Sequence, residues 1–367
     1  MAYNKLVLVL SNHPTWTYKL RGEVLKALID EGYRVIVAVG YGPEVEKIKE
    51  IGCEHIDIPY NRRSVNPLKE IKLFCAYRRL IKSIRPDAVL TYTIKPNLYG
   101  AYICKKRRIP CLVNITGLGS ALEKPGLAQK FFLVLYRHVF KDAYNVFLQN
   151  TYNQKLFISK GIVHGNDVLL PGSGVNLEKY KPLTYPSSEN VEFAFICRIL
   201  KAKGIEQYLA AARFLKKKYP QTRFHICGFC DQDYMGMIEE SVKKGEVIYH
   251  GMVDDTREIY KYTHCTVLPS WYSEGMNNVL LESAACARPI ITTNRPGCGE
   301  IVDDGVNGYV VKAHDAEDLI QQMEKFIKLS EEKKKEMGMA GRRKVEQQFD
   351  RNIVVHKYLE AVNSLFA

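Results

Sequence analysis

Two carboxylates and two cations supply the side chains of this sequence best suited to chemistry. Glu274 and Glu282 stand eight positions apart in Leu268-Pro-Ser-Trp-Tyr-Ser-Glu-Gly-Met-Asn-Asn-Val-Leu-Leu-Glu282. The run 265–269 before them reads as a buried strand, 279–288 as a helix and 289–293 as the next strand, so the polar stretch is the loop of a strand–loop–helix–strand unit. In an open parallel sheet, ligands sit outside the carboxyl ends of the strands, at loops of this kind. Asn277 and Asn278 are both N-cap candidates. The free N–H groups of the first turn then form an anion site. An anion flanked by carboxylates that accept from hydroxyls suggests a nucleotide sugar. Arg198 and Lys203 follow another strand, in Cys197-Arg-Ile-Leu-Lys-Ala-Lys-Gly204. A planar fork and a point charge at one strand end suit a diphosphate whose negative charge grows as it leaves.

Plainer readings compete. Arg198 and Lys203 also fit a solvated basic turn, and Glu282 an ordinary surface position of a helix. The two glutamates also fit the acid/base pair of a glycoside hydrolase, which needs neither a helix start nor nearby cations.

The elements that must position these groups alternate throughout. Residues 5–10 read as a strand, 11–17 as a polar loop, 18–31 as a helix and 33–39 as a strand. Further strands are expected at 55–58, 87–91, 110–114, 145–149 and 167–170, with helices at 44–51, 67–84, 95–106, 127–140 and 151–160. The strands are continuous apolar runs, as in a sheet covered on both faces. Pro171-Gly-Ser-Gly174 is a loop, and 181–190 is polar with two prolines. The pattern restarts beyond it, with strands at 191–197, 222–228, 247–249 and 308–311 and helices at 204–219, 233–243, 255–261, 316–329 and 331–348. A final amphipathic helix is expected at 351–366. The fold class is therefore α/β, with two similar halves: 1–172, then 173–350. Two such halves leave a cleft where they face each other, a preferred place for a ligand.

The chain has 367 residues, 46% hydrophobic and 25% charged, enough for two buried cores. Its formal net charge of +13 suits nucleic acid, an anionic membrane or phosphorylated substrates. No nucleic-acid recognition motif accompanies the charge. Ten cysteines fall mostly in apolar patterns, and Cys227-Gly-Phe-Cys230 lacks the second pair of a zinc site. No apolar run approaches the roughly 20 residues needed to span a bilayer, and the amino terminus runs directly into a strand without a signal peptide. A cytoplasmic, reduced protein with at most a peripheral membrane contact is expected.

In the first half, three loops at strand ends are polar: Asn12, His13, Thr15 and Trp16; Tyr92, Thr93, Lys95 and Asn97; and Asn114, Thr116, Gly117, Leu118 and Gly119. His13 beside Pro14 fits a capping role as well as a catalytic one. Gly172-Ser173-Gly174 fits either a ligand loop or a linker. Basic residues gather here too: Arg62, Arg63, Lys69, Lys72, Arg78, Arg79, Lys82 and Arg85, then Lys105, Lys106, Arg107 and Arg108. The segment 127–141 mixes Phe131, Phe132, Leu133, Leu135 and Phe140 with Lys130, Arg137, His138 and Lys141. Such a face binds anionic lipid, or else turns inward with a solvated back.

These residues resemble the family 4 glycosyltransferases. The second half carries the likeness in Glu274 and Glu282 with seven residues between, Arg198 with Lys203-Gly204, Pro269-Ser270 before Glu274-Gly275, Gly299-Glu300 and Asp304-Gly-Val-Asn-Gly308. Pro171-Gly-Ser-Gly-Val-Asn176 is similar to the family's interdomain segment. Ser11-Asn-His-Pro-Thr-Trp16, Thr93-Ile-Lys-Pro-Asn-Leu-Tyr-Gly100 and Asn114-Ile-Thr-Gly-Leu-Gly119 look like the bacterial capsule and O-antigen subgroup. The resemblance implies the GT-B fold, two Rossmann-like domains facing across a cleft. Residues 1–172 would bind the acceptor and 173–350 the nucleotide sugar, with the final helix, 351–367, packed back on the first domain.

It also implies retaining transfer of a hexose or N-acetylhexosamine from a UDP-sugar to a polyprenyl-diphosphate-linked saccharide at the inner membrane face. The runner-up is a GT-B-fold nucleotide-sugar epimerase or hydrolase. Arg198 and Lys203 would hold the diphosphate, Glu274 the sugar hydroxyls and Glu282 the ribose. Gly275, Met276, Asn277, Asn278 and Val279, with Ser173 and Gly174, would line the donor. Asn12, His13, Thr93, Lys95, Asn97, Asn114, Thr116 and Gly117 would serve from the first domain. No metal or other cofactor is implied, because Arg and Lys take the metal's place. Many relatives carry a sugar-contacting His where this chain has Thr91-Tyr-Thr-Ile-Lys95, so that role is absent or passes to Thr93, Lys95 or another group. His-Pro-Thr-Trp replaces the family's glycine-rich first loop.

Overall fold

A computed structural model of the chain describes residues 5–58, 66–118, 126–187, 190–272 and 274–367. Arg62, Arg63 and Gly119, named above, lie outside them. The chain divides into two compact units, Met1–Ser173 with Asn352–Ala367, and Gly174–Arg351.

The first unit is built on seven parallel strands: β1 (Leu6–Leu10), β2 (Arg34–Val39), β3 (Glu54–Asp57), β4 (Ala88–Tyr92), β5 (Cys111–Ile115), β6 (Asn145–Leu148) and β7 (Asp167–Leu169). They run in the order β3-β2-β1-β4-β5-β6-β7. β1, β4 and β5 are buried along their whole length, because crossover helices cover both faces. The helices are α1 (Pro14–Asp30), α2 (Val45–Glu50), α3 (Pro67–Ile84), α4 (Ile94–Arg107), α5 (Leu127–Phe140) and α6 (Thr151–Ser159). Side chains alternate along each strand, so Leu8, Leu10 and Val89 enter one core with Tyr77 and Phe140. Val7, Val9 and Leu90 enter another with Leu25, Tyr358 and Val362.

α1 begins at Pro14, four residues earlier than the sequence reading. His13 takes the N-cap position with extended backbone, and Pro is at the start of the helix. Proline's fixed φ suits that position and its missing N–H is not needed there. Thr15, Trp16 and Thr17 are therefore helical rather than part of a loop.

The second unit has six parallel strands: β8 (Glu192–Ile196), β9 (Arg223–Cys227), β10 (Ile248–Tyr249), β11 (Cys265–Leu268), β12 (Ile290–Thr293) and β13 (Gly308–Val311). Their order is β10-β9-β8-β11-β12-β13. Its helices are α7 (Ile205–Lys218), α8 (Met235–Lys243), α9 (Arg257–Tyr260), α10 (Asn278–Ala285), α11 (Ala316–Ile327) and α12 (Glu331–Gln348). The last helix, α13 (Arg351–Asn363), carries Val354, Tyr358 and Val362 into the core of the first unit. In both sheets the chain builds outward on one side and then restarts on the other. The reversal falls between β1 and β4 in the first unit and between β8 and β11 in the second. Neighbouring loops diverge there and open a crevice at the carboxyl ends of the strands.

The ten cysteines form no disulfide. Among the described residues, no helix is long and apolar enough to cross a membrane.

Candidate functional site

Arg198 and Lys203 lie in the connection after β8, and Glu274 in the one after β11, the two strands that flank the switch point of the second unit. The two connections are tied by backbone contacts. The N–H groups of Trp271 and Tyr272 both donate to the carbonyl of Ala202, at 2.9 and 3.0 Å. The Ser270 hydroxyl donates to the same oxygen at 3.3 Å. Gly204 ends the short 3-10 turn Lys201–Lys203 with φ +83°, and a Cβ there would stand 2.4 Å from the Pro269 carbonyl oxygen. Only glycine allows both the backbone angle and the approach.

The result is a compact charged cluster. Lys203 is 5% exposed, and its ammonium is in contact with the Glu274 carboxylate. Asn277 donates from Nδ2 to Glu274 at 3.2 Å and accepts the Leu280 N–H on its Oδ1, which makes it the N-cap of α10. Arg198 pairs with Asp231 at 3.0 Å. The ring of Tyr272 lies under both cations, 5.5 Å from the Arg198 guanidinium and 5.2 Å from the Lys203 ammonium.

Burial pushes the Lys203 ammonium below its ordinary value, and the Arg198 charge acts in the same direction. The Glu274 carboxylate in contact with it favours the protonated form. Two thiols flank Lys203. Burial pushes Cys197 up to about 12 and Cys298 up to about 11, with the Lys203 charge opposing in each case. Both are neutral, so the charge of the cluster rests on Arg198, Lys203, Asp231 and Glu274.

Glu282 sits within α10 and has a different set of neighbours. It accepts from the Thr256 hydroxyl at 3.0 Å. Burial raises its carboxyl above the ordinary value, while hydrogen bonds from Thr256 and Tyr180 pull it down. Hydroxyl donors, the kind of group a ribose also presents, thus offset part of the burial of its carboxyl. At the start of α10, Asn278 leaves a buried Oδ1 without a hydrogen-bond partner among the described residues. The Val279 carbonyl is taken by the Tyr260 hydroxyl at 3.0 Å. Gly275 packs its carbonyl against Gly297, where a Cβ would come within 2.9 Å.

Several residues expected to line the donor are also engaged in the packing of the fold. The Met276 side chain is 6% exposed and belongs to the core of its unit. Gly174 has φ +66°, its Cβ position lies 2.5 Å from the Arg351 Cα, and its carbonyl accepts from the Arg351 guanidinium at 3.0 Å. It is needed for chain packing. Ser173 is buried against Gln149, at 3.5 Å.

The expected residues of the first unit gather at the carboxyl ends of β1, β4 and β5, around that sheet's switch point. Two of them point into the fold. Asn114 is 1% exposed, donates to the Thr91 carbonyl at 3.0 Å and accepts from the Tyr358 hydroxyl of α13. Asn97 is 2% exposed and donates to the Asn114 carbonyl at 2.8 Å. These amides join β4, β5, α4 and α13. Lys95 is engaged by Glu70 at 2.8 Å. Thr93 takes the N-cap position of α4 without a side-chain cap, at φ +73°, a strained angle for a β-branched residue, and its hydroxyl is buried without a hydrogen-bond partner among the described residues. Asn12, His13, Thr116 and Gly117 remain partly accessible.

Sequence reasoning missed Tyr272 and Asp231. Tyr272 stands two positions before Glu274 and was legible as a loop aromatic. Asp231 is 33 residues from its partner, and no spacing signals that pair. Trp271 was also passed over; its ring lies 3.9 Å from that of His314, whose φ is +65°.

Comparison with known proteins gives two family matches of one kind. The model for glycosyl transferases group 1 matches residues 182–344, and the glycosyl transferase 4-like model matches residues 5–150. A relative from Campylobacter jejuni is N,N'-diacetylbacillosaminyl-diphospho-undecaprenol alpha-1,3-N-acetylgalactosaminyltransferase. It is 28% identical over 370 residues, which cover 96% of each chain. An Escherichia coli relative, UDP-Gal:alpha-D-GlcNAc-diphosphoundecaprenol alpha-1,3-galactosyltransferase, is 22% identical over 72% of this chain and 73% of its own. Among solved structures, Anabaena HepE in complex with UDP and glucose superposes with a TM-score of 0.81 at 17% identity, covering 98% of this chain and all of that one. Sucrose-phosphate synthase from Thermosynechococcus elongatus gives 0.80 at 18% identity, covering 99% of each. These two likenesses concern the fold, which is GT-B. With one kind of family model on each half and glycosyltransferase relatives along its length, the chain belongs to the glycosyltransferases, as a group 1 and 4-like member of the class that includes capsule and O-antigen enzymes.

Proposed function

We propose that this enzyme moves a hexose or N-acetylhexosamine from a UDP-sugar to a polyprenyl-diphosphate-linked saccharide, with retention of anomeric configuration. The observation that carries the donor side is the contact of Lys203 with Glu274 beside Arg198 at the switch point of the second unit. Two neighbouring cations, one of them buried, favour the diphosphate more as the C1–O bond breaks and charge builds on the leaving oxygen. Glu274, reached by the same ammonium, accepts from donor-sugar hydroxyls. Glu282, in its ring of hydroxyl donors, takes the ribose. The acceptor hydroxyl forms the new bond to C1, and its proton leaves with the diphosphate. With Arg198 and Lys203 carrying the counter-charge, the reaction needs no divalent metal.

The acceptor side is supported by the relatives. The Campylobacter and Escherichia enzymes are both named for undecaprenol-diphosphate sugars. A lipid-linked acceptor brings the enzyme to the inner face of the cell membrane, where anionic lipid meets the basic first unit. No nucleic-acid partner is proposed.

A panel of UDP-sugars screened by thermal shift in EDTA tests the donor reading. A donor that binds the folded state raises the melting temperature in proportion to the logarithm of its concentration over Kd. At least one UDP-sugar should do so without metal. The donor reading fails if none shifts the transition, and the metal-free reading fails if the shift requires Mg²⁺ or Mn²⁺.

A further inference from the structure

We infer that Tyr272 is a positioning residue for the donor diphosphate: its ring face holds the Arg198 guanidinium and the Lys203 ammonium as one two-pronged anion site. This rests on the donor reading above and adds to it the group that sets the spacing of the two cations.

Two positive charges held beside one ring repel, and the burial of Lys203 strengthens the repulsion. Carboxylates relieve part of it, Asp231 on Arg198 and Glu274 on Lys203. A third carboxylate between the cations would hold them together, yet it would also repel the incoming diphosphate. An aromatic face avoids that conflict. It attracts cations through its quadrupole while carrying no net charge. Tyr272 stands where such a group is needed, with 5.5 Å to one cation and 5.2 Å to the other. Both distances lie within the range of about 6 Å over which the attraction acts.

The ring is also held from behind. The Tyr272 N–H is shared between the Ala202 carbonyl at 3.0 Å and the Ser270 hydroxyl at 3.2 Å. Ala202 directly precedes Lys203, so the backbone that bears one cation fixes the ring that sits under both. The close approach of Gly204 to Pro269 locks the same pair of connections one residue further on. Strain or movement in either connection would therefore change the distance between the prongs.

The test replaces Tyr272 by Phe, by Phe carrying two, three or four ring fluorines, and by Leu. Fluorine drains the negative face with little change in shape, so packing and backbone contacts are kept. UDP affinity by calorimetry should hold within about twofold for Tyr272→Phe and fall stepwise with fluorination, reaching about tenfold weaker at the end of the series and in Tyr272→Leu. KM for the donor should rise in parallel, with kcat at saturating donor changing less. A role confined to packing would leave the fluorinated series flat, and that result overturns the inference even if Tyr272→Leu fails to fold. Arg198→Ala and Lys203→Ala separate the two readings. If both retain wild-type UDP affinity, the donor reading itself fails. If both lose affinity while fluorination has no effect, only the role of Tyr272 is lost.

Discussion

Lys203 is almost fully buried, yet it stays paired with a carboxylate and lies over an aromatic ring. Its neighbours at Cys197 and Cys298 are neutral thiols, since burial pushes both up. A second polar cluster lies elsewhere in the unit, with His225 and Glu192 buried and His250 at the surface. The His225 Nδ1 and His250 Nε2 atoms are 3.0 Å apart, and His225 Nε2 reaches Glu192 at 2.8 Å. Arg223 stands 3.8 Å from the same Glu192, and the His225 and Tyr262 rings meet in a T-shaped contact. Burial lowers the His250 pKa below its ordinary 6.5, and the His225 charge adds to this. The unfolded chain then binds this proton more readily than the folded one does. Stability from this group is full above about pH 6.5 and is lost as pH falls below it. Melting temperatures measured from pH 8 down to 5 should drop more steeply for the wild type than for His250→Phe; equal slopes would rule this group out as the source. Residues with a motif spacing, such as Glu274, Glu282, Arg198 and Lys203, were legible because chemistry constrains them to strand ends. Asp231 was not, since its role depends on what a distant loop brings beside it, and Tyr272 was visible as a loop aromatic without any spacing that marked its role.

At the scale of elements, periodicity located the strands and most helices to within a few residues. It failed at α1, where a polar sequence containing Pro14 reads as a loop but forms a helix start. It also could not tell an amide that faces a ligand from one that stitches a sheet. Asn97 and Asn114 lie in polar stretches at strand ends, as site residues do, and the structure spends them on backbone carbonyls and on Tyr358. Thr93 at the β4–α4 junction combines a strained backbone with a buried hydroxyl that has no hydrogen-bond partner among the described residues. On α5, Leu127, Phe131 and Val134 share one helical face and are 86%, 64% and 61% exposed, with Lys130 exposed as well. On α3, Leu68 and Ile71 are exposed one turn apart, beside Lys69 and Lys72. Apolar side chains among lysines suit insertion into an anionic lipid interface. Sedimentation with vesicles containing anionic lipid should therefore show binding that weakens as salt rises. Replacing Leu127 and Phe131 by Ser should weaken it further. Absent or salt-independent binding would contradict the membrane reading.

For the whole molecule, two parallel α/β units each place their polar loops at a switch point, and the two family models divide the chain between them. The alternation of strands with helices made this plan legible from the sequence. The destination of α13 in the first unit depends on long-range packing; the amphipathic pattern predicted a helix there, and its placement followed from the family resemblance. The net charge of +13 accords with a diphosphate-bearing donor, a diphosphate-bearing acceptor and an anionic membrane. The central claim is that the Lys203–Glu274 pair is the donor end of a sugar-transfer site. The most direct measurement is the rate of transfer from the UDP-sugar found by thermal shift to a polyprenyl-diphosphate saccharide, for wild type, Lys203→Ala and Glu274→Ala, with circular dichroism to confirm folding. The account predicts that each variant folds and is slower by about a hundredfold or more; two folded variants at near wild-type rates would contradict it.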